Sequence, residues 1–164
     1  CWRMAMENME TPTALIFSRQ NIKDLPSGTD YESGVRRGAY EVVHEANPDV
    51  VLVASGSEVS TLADTAALLA NDGIKARVVS CPSEGLFRRQ PKEYQESLLP
   101  TDFPIFGLTA GLPITFEGLV GNKGKVHGLE SFGFSAPYKV LDEKLGYTAE
   151  NIYREVKEYL GGLA

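Results

Sequence analysis

Val50-Val51-Leu52-Val53-Ala54 is five residues long, apolar throughout and mostly β-branched. A run of this kind suits a strand covered on both faces, as in the interior of a parallel sheet. The residues after it fix the unit to which it belongs. Ser55-Gly56-Ser57-Glu58 reads as a turn into a helix, and Val59, Leu62, Ala63, Ala66, Leu69 and Ala70 recur on one helical face. Asn71-Asp72-Gly73 closes that helix, with Gly73 in the position that a left-handed C-terminal residue takes. Ala76-Arg77-Val78-Val79-Ser80 is then a second buried run, stopped by Pro82. Strand, helix and strand in this compass make a βαβ unit, whose parallel crossover is right-handed.

The rest of the chain extends the same plan. Ala39 to His44 reads as a strand, Asn47-Pro48-Asp49 as a turn, and Pro91 to Leu99 as a short helix. Pro104 to Leu108 and Lys125 to Leu129 read as further strands, with a helical turn from Thr115 to Leu119 between them. Pro137 to Leu145 and Ala149 to Leu160 read as helices, the second capped by Thr148. The expected fold is α/β, with an open, mostly parallel sheet and helices on both faces. Upstream, Trp2, Ala5, Met6 and Met9 fall at helical spacing, and Ala14-Leu15-Ile16-Phe17 reads as a short buried strand. Residues 20–34, with Pro26, Gly28 and Gly34, have the composition of a linker.

Sixteen basic against 22 acidic residues give a net charge of −6, which argues against a dedicated nucleic-acid or anionic-membrane binder. No apolar run reaches the ~18 residues of a membrane span. Cys1 and Cys81 make no disulfide framework, and a reducing cytoplasm suits them. The absence of a starting Met and of a signal peptide reads as a fragment of a longer cytoplasmic protein.

Two features point towards ligands. Ser55, Gly56 and Ser57 stand where a strand's carboxyl end opens a helix, so free N–H groups would favour an anion there. A tight turn with Ser57 as the helix cap explains the same residues. Arg19, just past the Ala14–Phe17 run and flanked by Ser18 and Gln20, has the chemistry of a bidentate phosphate ligand, against the alternative of an ordinary salt bridge. His127 reads as a hydrogen-bonded core or edge histidine, His44 carries little signal, and Cys81 reads as a packed thiol.

Several stretches, in order, resemble the transketolase family. Cys1-Trp2-Arg3 and Thr11-Pro12-Thr13-Ala14-Leu15-Ile16-Phe17-Ser18-Arg19-Gln20-Asn21 are similar to the end of that family's pyrimidine-binding domain. Val50 to Val59, with Gly-Ser-Glu-Val, Gly73 to Ser83, with Arg-Val-Val-Ser-Cys-Pro-Ser, Phe132-Gly133-Phe134-Ser135-Ala136-Pro137 and Gly146-Tyr147-Thr148-Ala149-Glu150-Asn151-Ile152 continue the likeness. The resemblance implies a three-layer α/β/α C-terminal domain at 35–164 with about five strands, one antiparallel. It implies a linker at 22–34 and the tail of the pyrimidine-binding domain at 1–21.

It further implies a homodimeric enzyme, working with its upstream domains, thiamine diphosphate and a divalent metal (Mg or Ca), that moves a two-carbon ketol unit between sugar phosphates. Arg19 matches the arginine of the family's Ser-Arg-Gln stretch, which binds the sugar phosphate. No catalytic, cofactor or metal residue can be placed on this chain, which lacks a Gly-Asp-Gly…Asn stretch, so it is expected to be inactive alone. The pattern is broken at Thr109-Ala110-Gly111, at Phe116 to Gly121 and at His127. Two alternatives remain open: a related thiamine-diphosphate enzyme (deoxyxylulose-phosphate synthase, dihydroxyacetone synthase or a dehydrogenase β chain), or a non-catalytic dimerisation or anion-binding module.

Overall fold

The structure, a computed structural model, describes residues 1–25 and 31–163. It contains the helices α1 (Trp2–Glu7), α2 (Tyr31–Arg37), α3 (Glu58–Asn71), α4 (Glu84–Phe87), α5 (Lys92–Leu98), α6 (Ile114–Val120), α7 (Tyr138–Leu145) and α8 (Ala149–Gly161). The strands are β1 (Tyr40–Val43), β2 (Val50–Ala54), β3 (Ala76–Ser80), β4 (Ile105–Leu108) and β5 (Lys125–His127). They form one sheet in the order β1-β3-β2-β4-β5. β3, β2, β4 and β5 are parallel neighbours and β1 alone runs antiparallel, against β3. This is the expected three-layer sheet, with its one antiparallel strand at an edge.

The period-2 alternation of the strands separates two apolar layers. On one face Val50, Leu52 and Ala54 of β2, Val78 of β3 and Phe106 and Leu108 of β4 meet Leu62 and Leu69 of α3 and Ile152 and Val156 of α8. On the other, Val51, Val53, Val79 and Ile105 meet Phe87, Leu98, Leu119 and Val120 from α4, α5 and α6. All five residues of β2 are buried, as a strand covered on both sides must be. The C-terminal glycine of α3 is confirmed: Gly73 has φ +77. Thr148 caps α8 by accepting a hydrogen bond from the Asn151 N–H.

Two expectations need correction. Ala14–Phe17 forms no strand, and Ile16 is 94% exposed. A strand exists only where another backbone completes its ladder, and none among the described residues lies beside this one. Ser57 makes no side-chain cap; its hydroxyl donates to Glu58 Oε1 at 2.8 Å instead. In the segment expected as a linker, α2 begins at Tyr31, and 26–30 lie outside the described residues. Among the described residues, no helix is long and apolar enough to cross a membrane.

Candidate functional site

The Ser18–Asn21 stretch returns onto the domain beside the Phe132–Pro137 loop, so two segments far apart in the sequence share one cleft. Its volume is about 970 Å³, and its walls are Arg19, Gln20 and Asn21 on one side and Gly133 to Tyr138 with Leu141 on the other. Arg19 is exposed and forms no ion pair among the described residues. Arg19 is also the single charged residue of that lining. A guanidinium left without a carboxylate keeps its fork of donors for an incoming oxyanion.

The segment carrying Arg19 is held at two points. Lys23 pairs with Asp64 on α3. Farther upstream, Arg36 pairs with Glu7 at 2.7 Å and Arg3 with Glu32, while Trp2 stacks on Phe17 with centroids 6.0 Å apart. These ion pairs are solvent-exposed and contribute little each. The same segment leaves Met6, Met9, Ile16 and Phe17 uncovered.

Behind the first cleft lies a smaller one of about 200 Å³, bounded by Gln20, Asn21 and Lys23 and by the Ser57–Glu58 turn, Asp64, Asp142 and Tyr147. Ser57 belongs to the Ser55-Gly56-Ser57 turn expected to favour an anion. Its helix N-terminus is faced by Glu58, which takes the Ser57 hydroxyl. Burial pushes the Glu58 carboxyl up, the Ser57 hydrogen bond offsets part of that, and nearby Asp142 pushes it further. Burial raises Asp142 as well. Glu58 and Asp142 share this recess, while Asp64 is paired with Lys23, which lines it as well. The sequence displayed Glu58, but nothing in it shows that Asp142, from a helix far along the chain, comes to face it.

Tyr147 closes the floor of this recess. Its hydroxyl donates to the Thr109 carbonyl at 2.8 Å, and its phenol is pushed up to about 12, first by burial and then by Glu58. His127 lies edge-on to Tyr147 at 4.9 Å, with Nδ1 3.0 Å from Glu155 and Nε2 3.1 Å from the Leu145 carbonyl. It is the hydrogen-bonded edge histidine expected, and it braces the loop that delivers Tyr147. Cys81 is buried, and its thiol is pushed up to about 12 by desolvation, far from a reactive thiolate. Among the described residues, no three His, Cys, Asp or Glu side chains gather where a metal ion could be held.

Known proteins share this sequence and this fold. The family model for the transketolase-like TK C-terminal domain matches residues 38–148. Transketolase 2 of Vibrio parahaemolyticus is 38% identical over 161 residues, covering 97% of this chain and 24% of that protein. Transketolase of Staphylococcus epidermidis is 40% identical over 159 residues, covering 95% of this chain and 24% of that one. The solved transketolase from Leishmania mexicana superposes with a TM-score of 0.89 at 38% identity, over 98% of this chain and 23% of that one. Transketolase of Pichia stipitis, solved in complex with sedoheptulose 7-phosphate, gives 0.72 at 29% identity, over 79% of this chain and 19% of that one. The chain thus spans about a quarter of the length of the curated relatives it matches.

Proposed function

The chain belongs to the transketolase-like C-terminal domain family, and on that premise we propose that it is the C-terminal quarter of a transketolase. The whole enzyme, in this reading, moves a two-carbon ketol unit between sugar phosphates and works as a homodimer in the cytoplasm. The observation that carries the proposal on this chain is Arg19, a guanidinium without a carboxylate partner at the edge of a cleft large enough for a sugar phosphate. The Pichia stipitis relative binds a ketose phosphate, which supports phosphate as the anion.

Arg19 would take two phosphate oxygens in its fork and so hold the far end of the sugar at a fixed distance from the reacting carbon. Binding energy gathered at such a remote group orients the reacting end. In this reading thiamine diphosphate and a divalent metal, held by the rest of the enzyme, supply the chemistry of carbon–carbon cleavage, and this chain contributes recognition and support.

The test is ketol transfer from xylulose 5-phosphate to ribose 5-phosphate by the full-length protein, with and without thiamine diphosphate, beside the 164-residue chain alone. Cofactor-dependent turnover by the long protein and none by the short chain is the expected result. No cofactor-dependent transfer by the full-length protein would return the chain to the sibling enzymes or to a binding module.

A further inference from the structure

We propose that His127 is a proton-operated latch, which as an imidazolium fastens the turn between α7 and α8 to the edge of the sheet and on losing a proton lets it go. His127 ends β5, the strand at one edge of the sheet. Its ring lies between two acceptors. Nδ1 stands 3.0 and 3.1 Å from the two carboxylate oxygens of Glu155 on α8. Nε2 stands 3.1 Å from the carbonyl oxygen of Leu145, the last residue of α7. A carbonyl only accepts, and so does an ionised carboxylate. Both ring nitrogens therefore have to donate, and only the imidazolium carries two N–H groups.

The surroundings suit that form. Asn151 donates to Glu155 Oε1 at 2.8 Å, so the carboxylate is used as an acceptor twice. Leu145 offers one of the carbonyls that a helix end leaves without an intrahelical partner, where a cation is favoured. The His127 and Glu155 side chains are 15% and 24% exposed, so solvent screens their attraction less than it would at the surface. Tyr147 meets the ring edge-on, with its own hydroxyl bound to the Thr109 carbonyl after β4. Other charged groups of the packed elements are engaged elsewhere: Lys144 of α7 lies over the Phe134 ring, Arg154 of α8 donates to Asn151, and Glu58 of α3 takes the Ser57 hydroxyl. Lys125 lies two residues back on the same face of β5.

When the ring loses a proton, one nitrogen turns a lone pair towards an oxygen, and one of the two attractions becomes a repulsion. Both bonds are complete at low pH, and one is lost as pH rises through the range in which imidazoles titrate, about pH 5 to 8. What they hold is the turn. Gly146 has φ +83, and a Cβ there would stand 3.1 Å from His127 Cε1 and 2.8 Å from Asn151 Nδ2, so the backbone is pressed against this pair. Asn151 also donates to the Gly146 carbonyl at 3.0 Å. The turn ends α7 and carries Tyr147, so a proton at the sheet's edge sets how firmly both are seated.

The experiment follows amide hydrogen exchange over residues 138–152 of the full-length protein between about pH 5 and 8, each rate divided by that of the unfolded chain at the same pH. Two variants accompany the wild type. His127→Gln can donate one hydrogen bond and does not titrate. Glu155→Gln offers an amide that can donate to a neutral Nδ1, so the second ring proton is no longer needed. In the wild type, protection of Gly146, Tyr147 and Thr148 should fall roughly 10-fold as pH rises, the worth of one hydrogen bond to a charged group, while the amides of β2 hold theirs. In either variant that step should vanish. Wild-type protection that stays level across the range would overturn the latch. A step of undiminished size in His127→Gln or in Glu155→Gln would overturn it too, since another group would then be titrating.

Discussion

Arg77 offers a demanding test of how this domain is held together. Its side chain projects from the buried strand β3, and the residue is only 9% exposed. It pairs with Glu41 Oε1 at 3.0 Å and donates to the Glu45 carbonyl at 3.1 and 2.8 Å and to the Ser97 carbonyl at 2.7 Å. One guanidinium therefore joins the edge strand β1, the turn after it and the end of α5. Arg77→Ala leaves the partly buried Glu41 carboxylate with His44 Nδ1, 2.6 Å away, and takes donors from two carbonyls. Removing one partner of a buried pair costs about 3–5 kcal/mol. That is a large share of the ~5–15 kcal/mol that holds a domain folded. Arg77→Lys keeps the charge without the fork and should lose less.

Urea unfolding of the wild type, both variants and Glu41→Gln/Arg77→Ala would measure these costs. The double variant should lose less than the sum of its parts, since it leaves no charge unpaired. A loss under about 1 kcal/mol for Arg77→Ala would refute the reasoning, because it would mean that Arg77 acts as a solvated surface pair does.

Two further predictions concern the sheet's cover and the small recess. Ile152 is fully buried between α8, α3 and the sheet, so Ile152→Ala should cost about 2–5 kcal/mol in denaturant unfolding, and a cost under about 1 kcal/mol would contradict the packing described. Glu58 holds its proton more tightly when folded than unfolded. Its contribution is therefore fully present below the unfolded carboxylate range and lost as pH rises through its higher folded value. Glu58→Gln keeps an acceptor for Ser57 while removing that charge. It should be more stable than wild type at neutral pH and lose the advantage in acid. Unfolding midpoints that run parallel for the two proteins across that range would sink the assignment.

The sequence displayed the sheet because β2, β3 and β4 are short, apolar and bounded by turn residues, a pattern in which few other arrangements bury so much. It displayed α8 because Thr148 and the Ile152–Val156 stripe agree with each other. It concealed α4, which is only four residues long and rests on the Ser83 cap rather than on a periodic face. It misled at Ala14–Phe17, where an apolar run shows the wish for a partner and not the partner's presence. Of the site, Arg19 was legible as chemistry, but its freedom from a carboxylate and its place opposite Ser135 are tertiary facts.

In the departing Phe116–Gly121 stretch, Gly118 lies against the exposed end of Arg88, whose guanidinium pairs with Glu84. No local reading of the sequence would have paired those two positions.

Binding of a sugar's phosphate by Arg19 is tested most directly by kcat/KM of the full-length enzyme for ribose 5-phosphate and for unphosphorylated ribose, in wild type and Arg19→Ala. A hydrogen-bonded charge is worth about 1.5–3 kcal/mol, so the phosphorylated acceptor should lose roughly 10- to 100-fold while ribose loses little. Equal losses on both acceptors, or no loss on either, would contradict the account.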